Sequence, residues 1–598
     1  MNRVHILPPD VISKIAAGEV IERPASVIKE LIENSLDAQT DAIELRLQQA
    51  GKTAIHIKDS GSGIHRDDIQ TIFERHSTSK IRTIDDLFDI HSLGFRGEAL
   101  YSIAAVSDVI LRSKPKDQDT GWEIHMRGGE TINLKPVTMQ DGTEIEIKEL
   151  FFNTPARRKF LKTNTTELNQ ILNIVIPYTL LHPQCRFLLT HEKKTLLDLK
   201  STTDLKQRIA RVLNLEKDHL LEVGHNFALQ KFSARLILGD INITRTRRDL
   251  QFVFINGRPV QSKTVSFHLN DVYRLILPPG YSPFFTVFLQ IPPGDIDVNI
   301  HPTKREVKIK DEHNLLPLLR HMVENTLMTA GKAKEATLKN TLAPAPPDGK
   351  TLQRALSQTT AEAGWDDHIP AVEMPAAAIA ESERPTEHYS FPSGASAAFP
   401  DQNLFGQKPD TLQGKFSRSR YIGSFINKFL LFEADQSLLI VDQHAAQERI
   451  SFEHLIRQME KGDIGVQNLL APHLLKLTPQ EFLIWEDGKD KLDSIGFSTT
   501  QFDDETIAIH SYPVLLRDAV KAVRDLLAGG NFARCDHETI ARRACRCSVM
   551  AGDALKPAQA EYQREQLLLC RDPFTCPHGR PTIIEMKENF LDRQFLRT

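Results

Sequence analysis

Between residues 331 and 410 the chain carries 15 alanines and 9 prolines in 80 positions, with neither helical nor strand periodicity. Stretches such as APAPPDG and AVEMPAAAIAESERPTE cannot bury enough apolar surface to offset the entropy of ordering them. The segment 331–415 therefore reads as a flexible linker, and a single continuous core is excluded. It separates an N-terminal region of about 330 residues from a C-terminal one of about 185. At roughly 150 residues per domain, 598 residues make three or four domains. Apolar residues at 40% and charged residues at 25% are those of an ordinary soluble globular protein. No apolar run is long enough to span a bilayer. The first residues, MNRVHILPPDVISK, lack the apolar core of a signal peptide, so a cytoplasmic location is expected.

Charge is distributed unevenly along the chain. Residues 1–150 carry 18 basic and 25 acidic side chains, whereas residues 151–330 carry 25 and 16. An acidic chain thus contains one basic block. Its cations bunch at Arg157, Arg158, Lys159 and Lys162, and again at Arg245, Arg247 and Arg248. Such a block is either a solvated face or a surface for a polyanion such as DNA, with salt-sensitive affinity.

The coarse pattern is α+β in both regions. VIKELIENSLDA has apolar residues at helical spacing, and AIHIKD is a strand followed by the turn GSGI. A helical stretch is expected next, then the glycine-rich HSLGFRGEAL and the strand TEIEIKEL. ARLILG, QFVFING and FFTVFLQI read as strands of the second block. In the C-terminal region SLLIV is a strand, and AAQERISFEHLIRQM and HETIARRACRCSVMAG are helices.

Several motifs carry chemistry. Glu30 and Asn34 are four apart on one helix and share a face, with Glu33 beside them and Asp37 a turn further on. A carboxylate can deprotonate or orient water, and an amide oxygen can ligate magnesium. Asp59, at a strand end, can accept a hydrogen bond from an exocyclic amine, while Gly61 and Gly63 let backbone approach a planar base. Gly94, Phe95, Arg96, Gly97 and Glu98 form a loop whose amides can wrap phosphates. Alone, a DxGxG string is more often a turn than a site. The order of the motifs carries more weight than any one of them.

That order, IAAGEVIERPASVIKELIENSLDA, DSGSGI, HSTSKI, GFRGEAL and FFNTPARRKF, resembles the MutL DNA mismatch-repair family. This family belongs to the GHKL ATPases, with gyrase, Hsp90-type chaperones and histidine kinases. The likeness is dense over about the first 165 residues and returns at FVFINGRPV, which holds Arg258, and at DVNIHPTKREV. It implies an α+β multidomain chain. A GHKL (Bergerat) ATPase α/β sandwich would span 1–210 and a basic, DNA-binding transducer α/β domain 211–330. The disordered linker would follow at 331–415, and an α/β dimerisation and endonuclease domain at 416–598. By resemblance Glu30 is the general base, Asn34 the Mg²⁺ ligand and Asp59 the adenine reader, with Gly63 and Thr143 lining the base pocket. Thr78, Ser79, Lys80 and the Gly94–Gly97 loop resemble the lid over the ATP phosphates. Lys304 resembles the lysine extended to the γ-phosphate. The resemblance further implies that ATP binding joins two N-terminal regions of a homodimer into a ring around DNA, which the basic block would line, and that the mismatch sensor MutS is a partner.

The cysteines point to a second site. Cys185 stands alone, whereas Cys535, Cys545, Cys547, Cys570 and Cys576 lie in the last 64 residues. Asp442 ends the strand SLLIV, and His444 and Glu448 are four apart on the helix that follows. Cys576 and His578 lie two apart in an extended stretch, so they point to one side. Cysteine, histidine and carboxylate together suit zinc or another borderline ion. The set DQHAAQERISFE, ACR, CPHGRP and FLR resembles the endonuclease-active branch of the same family. That likeness implies that Asp442, His444, Glu448, Glu453, Cys545, Cys576 and His578 hold one or two ions, with Mn²⁺ supporting nicking and Zn²⁺ in a structural or regulatory role. Arg580 and Arg597 would support the site. Cys535, Cys547 and Cys570 fall outside the pattern and read as ordinary thiols.

Gln467, Leu470 and Pro472, in QNLLAP, resemble the peptide by which these nucleases dock on the replication sliding clamp. A second such string, Gln402 to Phe405, lies in the linker. Three readings are open to such a chain: an ATPase with a nicking endonuclease, a matchmaker without one, and a GHKL chaperone or signalling kinase. The complete C-terminal motif set favours an ATPase with a nicking endonuclease over a matchmaker without one. A histidine kinase would need a phosphoacceptor helix before the ATP site, and a topoisomerase a catalytic tyrosine and a larger cleavage domain.

Overall fold

The computed structural model describes residues 21–80, 93–94, 97–228, 231–245, 247–277, 281–297, 307–310, 312–342, 409–516, 518–528, 535–544 and 555–594. The chain divides into two compact units, 331–419 by itself and 1–330 together with 420–598. Phe95, Arg96, Lys304, Cys545, Cys547, Arg597 and the string 402–405 lie outside the described residues, as does most of the expected linker.

The first region is built on an eight-stranded sheet. Its strands are β1 (Ala42–Gln48), β2 (Ala54–Asp59), β3 (Asp108–Lys114), β4 (Gly121–Arg127), β5 (Glu130–Val137), β6 (Gly142–Lys148), β7 (Arg186–His191) and β8 (Lys194–Leu199). They lie in the order β5-β4-β3-β6-β2-β1-β7-β8. Only β1 and β7 pair in parallel. Burial alternates along β1 and β6, so one face is apolar and the other polar. The apolar face is covered by α1 (Pro24–Asp37), α2 (Ala99–Ala105) and α4 (Asn164–Leu181), which share its core, while the short α3 (Pro155–Phe160) buries none of its residues. In α1, Val27, Ile28, Leu31 and Ile32 are buried at helical spacing. Each buried side chain of this kind contributes about 1.5–3 kcal/mol, and Leu31→Ala would remove about 2–5 kcal/mol. Pro24 starts the helix where no intrahelical amide is needed.

The second sheet has the order β13-β12-β15-β10-β9, with β9 (Leu220–Phe227), β10 (Phe232–Gly239), β12 (Gln251–Ile255), β13 (Arg258–Val260) and β15 (Phe285–Gln290). The short pair β11 (Thr244–Arg245) and β14 (Ser282–Pro283) sits beside it. The helix α5 (Leu205–Leu213) precedes this sheet. Parallel strands β12 and β15 are joined through α6 (Lys263–Tyr273), as a crossover requires. A further pair, β16 (Ile296–Asp297) and β17 (Lys308–Ile309), leads into α7 (Glu312–Leu342).

The C-terminal part of the same unit follows α8 (Pro409–Arg418). One sheet runs β18 (Arg420–Phe425), β19 (Phe429–Ala434), β20 (Ser437–Asp442), β24 (Ile583–Lys587); the other is β21 (Val466–Lys476), β23 (Thr506–Pro513), β22 (Ser498–Gln501). Helices α9 (Gln443–Lys461), α10 (Pro479–Asp493), α11 (Ala519–Ala528) and α12 (His537–Ala544) pack on the second sheet's core. The last helices are α13 (Pro557–Leu568) and α14 (Glu588–Gln594). Among the described residues no helix is long and apolar enough to cross a membrane.

Three points differ from the sequence-based expectation. After GSGI the chain makes turns and one short 3-10 segment, Thr71–Phe73, rather than a helix as far as residue 80. Ile69 and Phe73 there are buried in the core and Ile64 and Ile72 only partly so, too little apolar surface to hold a longer helix. Conversely, α7 continues to Leu342, past the expected start of the linker. Good helix formers such as Ala, Lys and Glu propagate a helix already nucleated by the packed turn around Leu315, Leu319 and Val323. Finally, the two regions flanking 331–419 pack together. Leu483 of α10 is buried within the first region's core, Gln480 donates to Asn173 at 2.9 Å, and Arg211 grips Glu505 at 2.7 and 3.0 Å.

Candidate nucleotide site and C-terminal donor cluster

Helix α1 carries the acidic centre of the first site. Lys29 Nζ lies 3.0 Å from Glu30 Oε1 and 3.0 Å from Glu33 Oε1. One turn on, Lys80 Nζ donates to Asn34 Oδ1 at 3.1 Å and to Asp37 Oδ2 at 2.5 Å. Asp37 also accepts the amides of Leu93, at 2.9 Å, and Gly94, at 3.2 Å. It thus ties the start of the glycine loop and Lys80 to α1, and nothing in its local sequence announces this.

Asp59 ends β2 almost fully buried. Its Oδ1 accepts the Gly61 amide at 3.0 Å, and Oδ2 accepts the Ser35 hydroxyl at 2.8 Å. Burial pushes its carboxyl above the usual range, against the hydrogen bonds from Gly61, Ser35 and Thr143. Thr143 pairs with Asp59 across β2 and β6, and its hydroxyl lies 2.9 Å from that of Ser113. Ser113 in turn accepts the Ile64 amide at 2.9 Å. A hydrogen-bonded floor of Ser35, Asp59, Thr143 and Ser113 results; Ser35 and Ser113 are not among the residues the resemblance implies. The glycines fit by necessity. Gly63 has φ +74°, and a Cβ there would meet the Lys114 carbonyl oxygen at 2.5 Å. Gly97 has φ +61°, and a Cβ would collide with Ser77 backbone. Its carbonyl accepts the His76 amide at 3.0 Å, so the HSTSKI and GFRGEAL segments lie together. Thr78 Oγ1 accepts the Lys80 amide at 3.2 Å, and Glu98 faces Arg75 and His76 at 3.8 and 3.5 Å.

The arginines of the basic block are not equivalent. On α3, Arg158 and Lys159 are exposed, while Arg157 donates to the Ile21 carbonyl at 2.9 Å. Arg245 is buried against Glu481 of α10 at 3.3 Å, and Arg247 donates to the Ala528 carbonyl at 2.7 Å. Arg248 is exposed, and Arg258 is half-buried on β13.

In the C-terminal part, Asp442 ends β20 and caps α9, accepting the Ala445 amide at 2.9 Å. The four-residue spacing brings His444 Nε2 to 3.2 Å from Glu448 Oε1, and His578 Nε2 approaches the same oxygen at 3.9 Å. The hydrogen bond to Glu448 raises the His444 imidazole, outweighing burial. Burial opposes the Glu448 charge, yet His444, His578 and Arg580 hold its carboxyl below the usual range. Cys576 is buried, its Sγ 3.4 Å from the amides of His578 and Arg580. Glu453 stands apart: it accepts the Arg571 and Asp572 amides at 2.7 and 3.2 Å and pairs with Arg457 at 3.3 Å. Among the described residues no three His, Cys, Asp or Glu groups are spaced to hold an ion together. His444 Nδ1 and Glu448 Oε2 are nevertheless buried with no hydrogen-bond partner among those residues, which fits donors meant for a cation.

Cys535 packs against the C-terminal core, and burial pushes the Cys570 thiol up to about 12. Gln467, Leu470 and Pro472 lie on β21, whose register breaks between Asn468 and His473. That bulge leaves Leu470 wholly exposed.

Comparison with known proteins matches this architecture. Residues 21–147 fit the model of the histidine kinase-, DNA gyrase B- and HSP90-like ATPase. Residues 214–328 fit the C-terminal domain of DNA mismatch repair proteins, and 422–555 the MutL C-terminal dimerisation domain. DNA mismatch repair protein MutL of Endomicrobium trichonymphae is 32% identical over 99% of this chain and 100% of its own. That of Syntrophotalea carbinolica is 34% identical over 100% of both. A solved Aquifex aeolicus MutL ATPase domain complexed with ADP shares 29% identity, covers 51% of this chain and 98% of its own, and has a TM-score of 0.38. The chain belongs to the MutL family of DNA mismatch repair proteins, with an ATPase domain of the GHKL type and a MutL dimerisation domain.

Proposed function

We propose that the chain is an ATP-driven dimeric clamp that couples mismatch recognition to repair and nicks the DNA strand by metal-dependent phosphodiester hydrolysis. Glu30 takes a proton from the water attacking the γ-phosphate. Asn34 would hold Mg²⁺ through the amide oxygen that Lys80 now faces. Asp59 accepts the adenine amine, since its two oxygens offer about four acceptor positions and Gly61, Ser35 and Thr143 take three of them. Thr78, Ser79, Lys80 and the Gly94–Gly97 loop close over the phosphates, and Lys304 reaches the terminal one. The ATPase domain spans 1–210, the transducer 211–330, the linker 331–415 and the dimerisation and endonuclease domain 416–598. DNA, a second copy, MutS and a sliding clamp that takes Gln467, Leu470 and Pro472 are the partners, in the cytoplasm.

The observation that supports the nuclease is the approach of His444 and His578 to the buried Glu448, with its unpartnered oxygen, beside the cap of the same helix at Asp442. Cys576 and Cys545 would complete the donor set, with Arg580 and Arg597 toward the scissile phosphate. Mn²⁺, with Zn²⁺ beside it, would polarise the phosphodiester and lower the pKa of water. The test is nicking of supercoiled plasmid by the full-length protein with Mn²⁺, Mg²⁺ or EDTA, beside Asp442→Asn. Mn²⁺-dependent nicks lost in the variant are expected. No nicks from protein that still hydrolyses ATP, with or without the clamp, would leave a matchmaker ATPase, a reading favoured by the position of Glu453 away from the cluster.

A further inference from the structure

Lys29 occupies an unusual place on α1. Neighbouring side chains leave a helix about 100° apart and do not ordinarily face each other. Yet Lys29 turns to Glu30, at 3.0 Å, while holding Glu33, its i+4 neighbour, at 3.0 Å. Glu33 is buried, and the same Oε1 accepts a second hydrogen bond, from the hydroxyl of Tyr178. Tyr178 comes from α4 and is 2% exposed. Its hydroxyl is pushed far up by burial and by Glu33, so it remains a donor. Burial works against the Lys29 ammonium, but the two carboxylates outweigh it and hold its pKa above the usual lysine range. The chain of contacts runs from the Tyr178 hydroxyl to Glu33, to Lys29, to Glu30. One ammonium is thus shared between two carboxylates and engages Glu30 through Oε1 alone.

We propose that Lys29, Glu33 and Tyr178 are positioning residues that fix the orientation of the Glu30 carboxylate, with one oxygen pinned and the other presented to the attacking water. The proposal rests on Glu30 being the general base. Tyr178 holds Glu33, Glu33 sets how far Lys29 leans from Glu30, and Lys29 sets the rotamer of the base. A brace between α1 and α4 would use the same contacts but would act on stability rather than on turnover.

The experiment is ATP hydrolysis by the full-length protein, with kcat and KM separated and nucleotide binding followed independently with a fluorescent ATP analogue. Lys29→Met is expected to lower kcat about ten-fold or more with KM within about two-fold of the parent. Lys29→Arg restores most of the rate. Tyr178→Phe lowers kcat about three-fold, and adding it to Lys29→Met lowers kcat no further, since it acts through Lys29. Additive losses, or a lower melting temperature with kcat intact, overturn the proposal. If Lys29→Met does not fold, a parental kcat in Tyr178→Phe overturns it instead. Glu30→Ala separates the two levels. Should that variant still hydrolyse ATP, the assignment of the base fails. Should it be inactive while Lys29→Met runs at the parental rate, only the positioning role fails.

Discussion

The nucleotide site and the C-terminal donor cluster are organised in opposite ways. Around Asp59 every polar group meets a protein partner: Gly61 and Ser35 on the carboxylate, Ser113 on Thr143, Ile64 on Ser113. Around Glu448 the donors converge, but two buried atoms, His444 Nδ1 and Glu448 Oε2, lack partners among the described residues. An unsatisfied buried group costs about 1–3 kcal/mol. The floor around Asp59 is therefore satisfied by the protein's own groups. The second site carries a local penalty, which the ion proposed for it would remove. A base-binding pocket needs rigid shape, whereas an ion site needs donors not already committed to the protein.

That contrast can be broken at either end. The largest effect is expected from Asp59→Asn, which replaces one acceptor oxygen by a donor in a pocket with no room to adjust. ATP affinity should fall at least about a hundred-fold in a fluorescent-nucleotide titration, with the melting temperature little changed. An affinity near the parental value would mean that Asp59 is only a strand-end cap. Next comes metal stabilisation: Mn²⁺ or Zn²⁺ should raise the melting temperature of EDTA-stripped protein by a few degrees, roughly what 1–3 kcal/mol of binding gives, and His444→Ala should abolish the rise. An equal rise in the variant would place the ion elsewhere.

The basic block sharpens the comparison further. Replacing Arg158 and Lys159 by alanine should weaken DNA binding several-fold and reduce the slope of log affinity against log salt by about two. Arg245→Ala, in contrast, should leave that slope near its parental value, because Arg245 is turned to Glu481. It should instead destabilise the fold, by at most about 3–5 kcal/mol, since Glu481 loses its buried arginine but keeps the Thr478 amide. The smallest change is expected from Arg211→Ala. Its pair with Glu505 is exposed, and its loss should cost under about 1 kcal/mol in urea unfolding.

Local pattern was legible where function depends on spacing. The helix from Val27, the strand AIHIKD, the strand before Asp442 and the helix carrying His444 all lie where periodicity places them. The pairs Glu30/Asn34 and His444/Glu448 follow from the helical repeat. Asp37 was noticed only as a neighbouring acid, although it anchors Leu93, Gly94 and Lys80. The span after GSGI differs from the expected helix because Ile69, Ile72 and Phe73 give a helical spacing while the flanking residues 65–68 and 74–80 are polar and add nothing to the core.

Sequence by itself determined the α+β character and the donor pairs four residues apart. These are short-range consequences of backbone geometry, and a few consecutive residues suffice to specify them. Tertiary structure alone decided that Tyr178 reaches Glu33 from 145 positions away, that Leu483 completes the first region's core, that Arg245 is spent on Glu481 and that Glu453 turns from His444 to the backbone at 571–572. Each of these depends on which surfaces pack together, and packing is settled by the whole buried interface rather than by the residues on either side of a position.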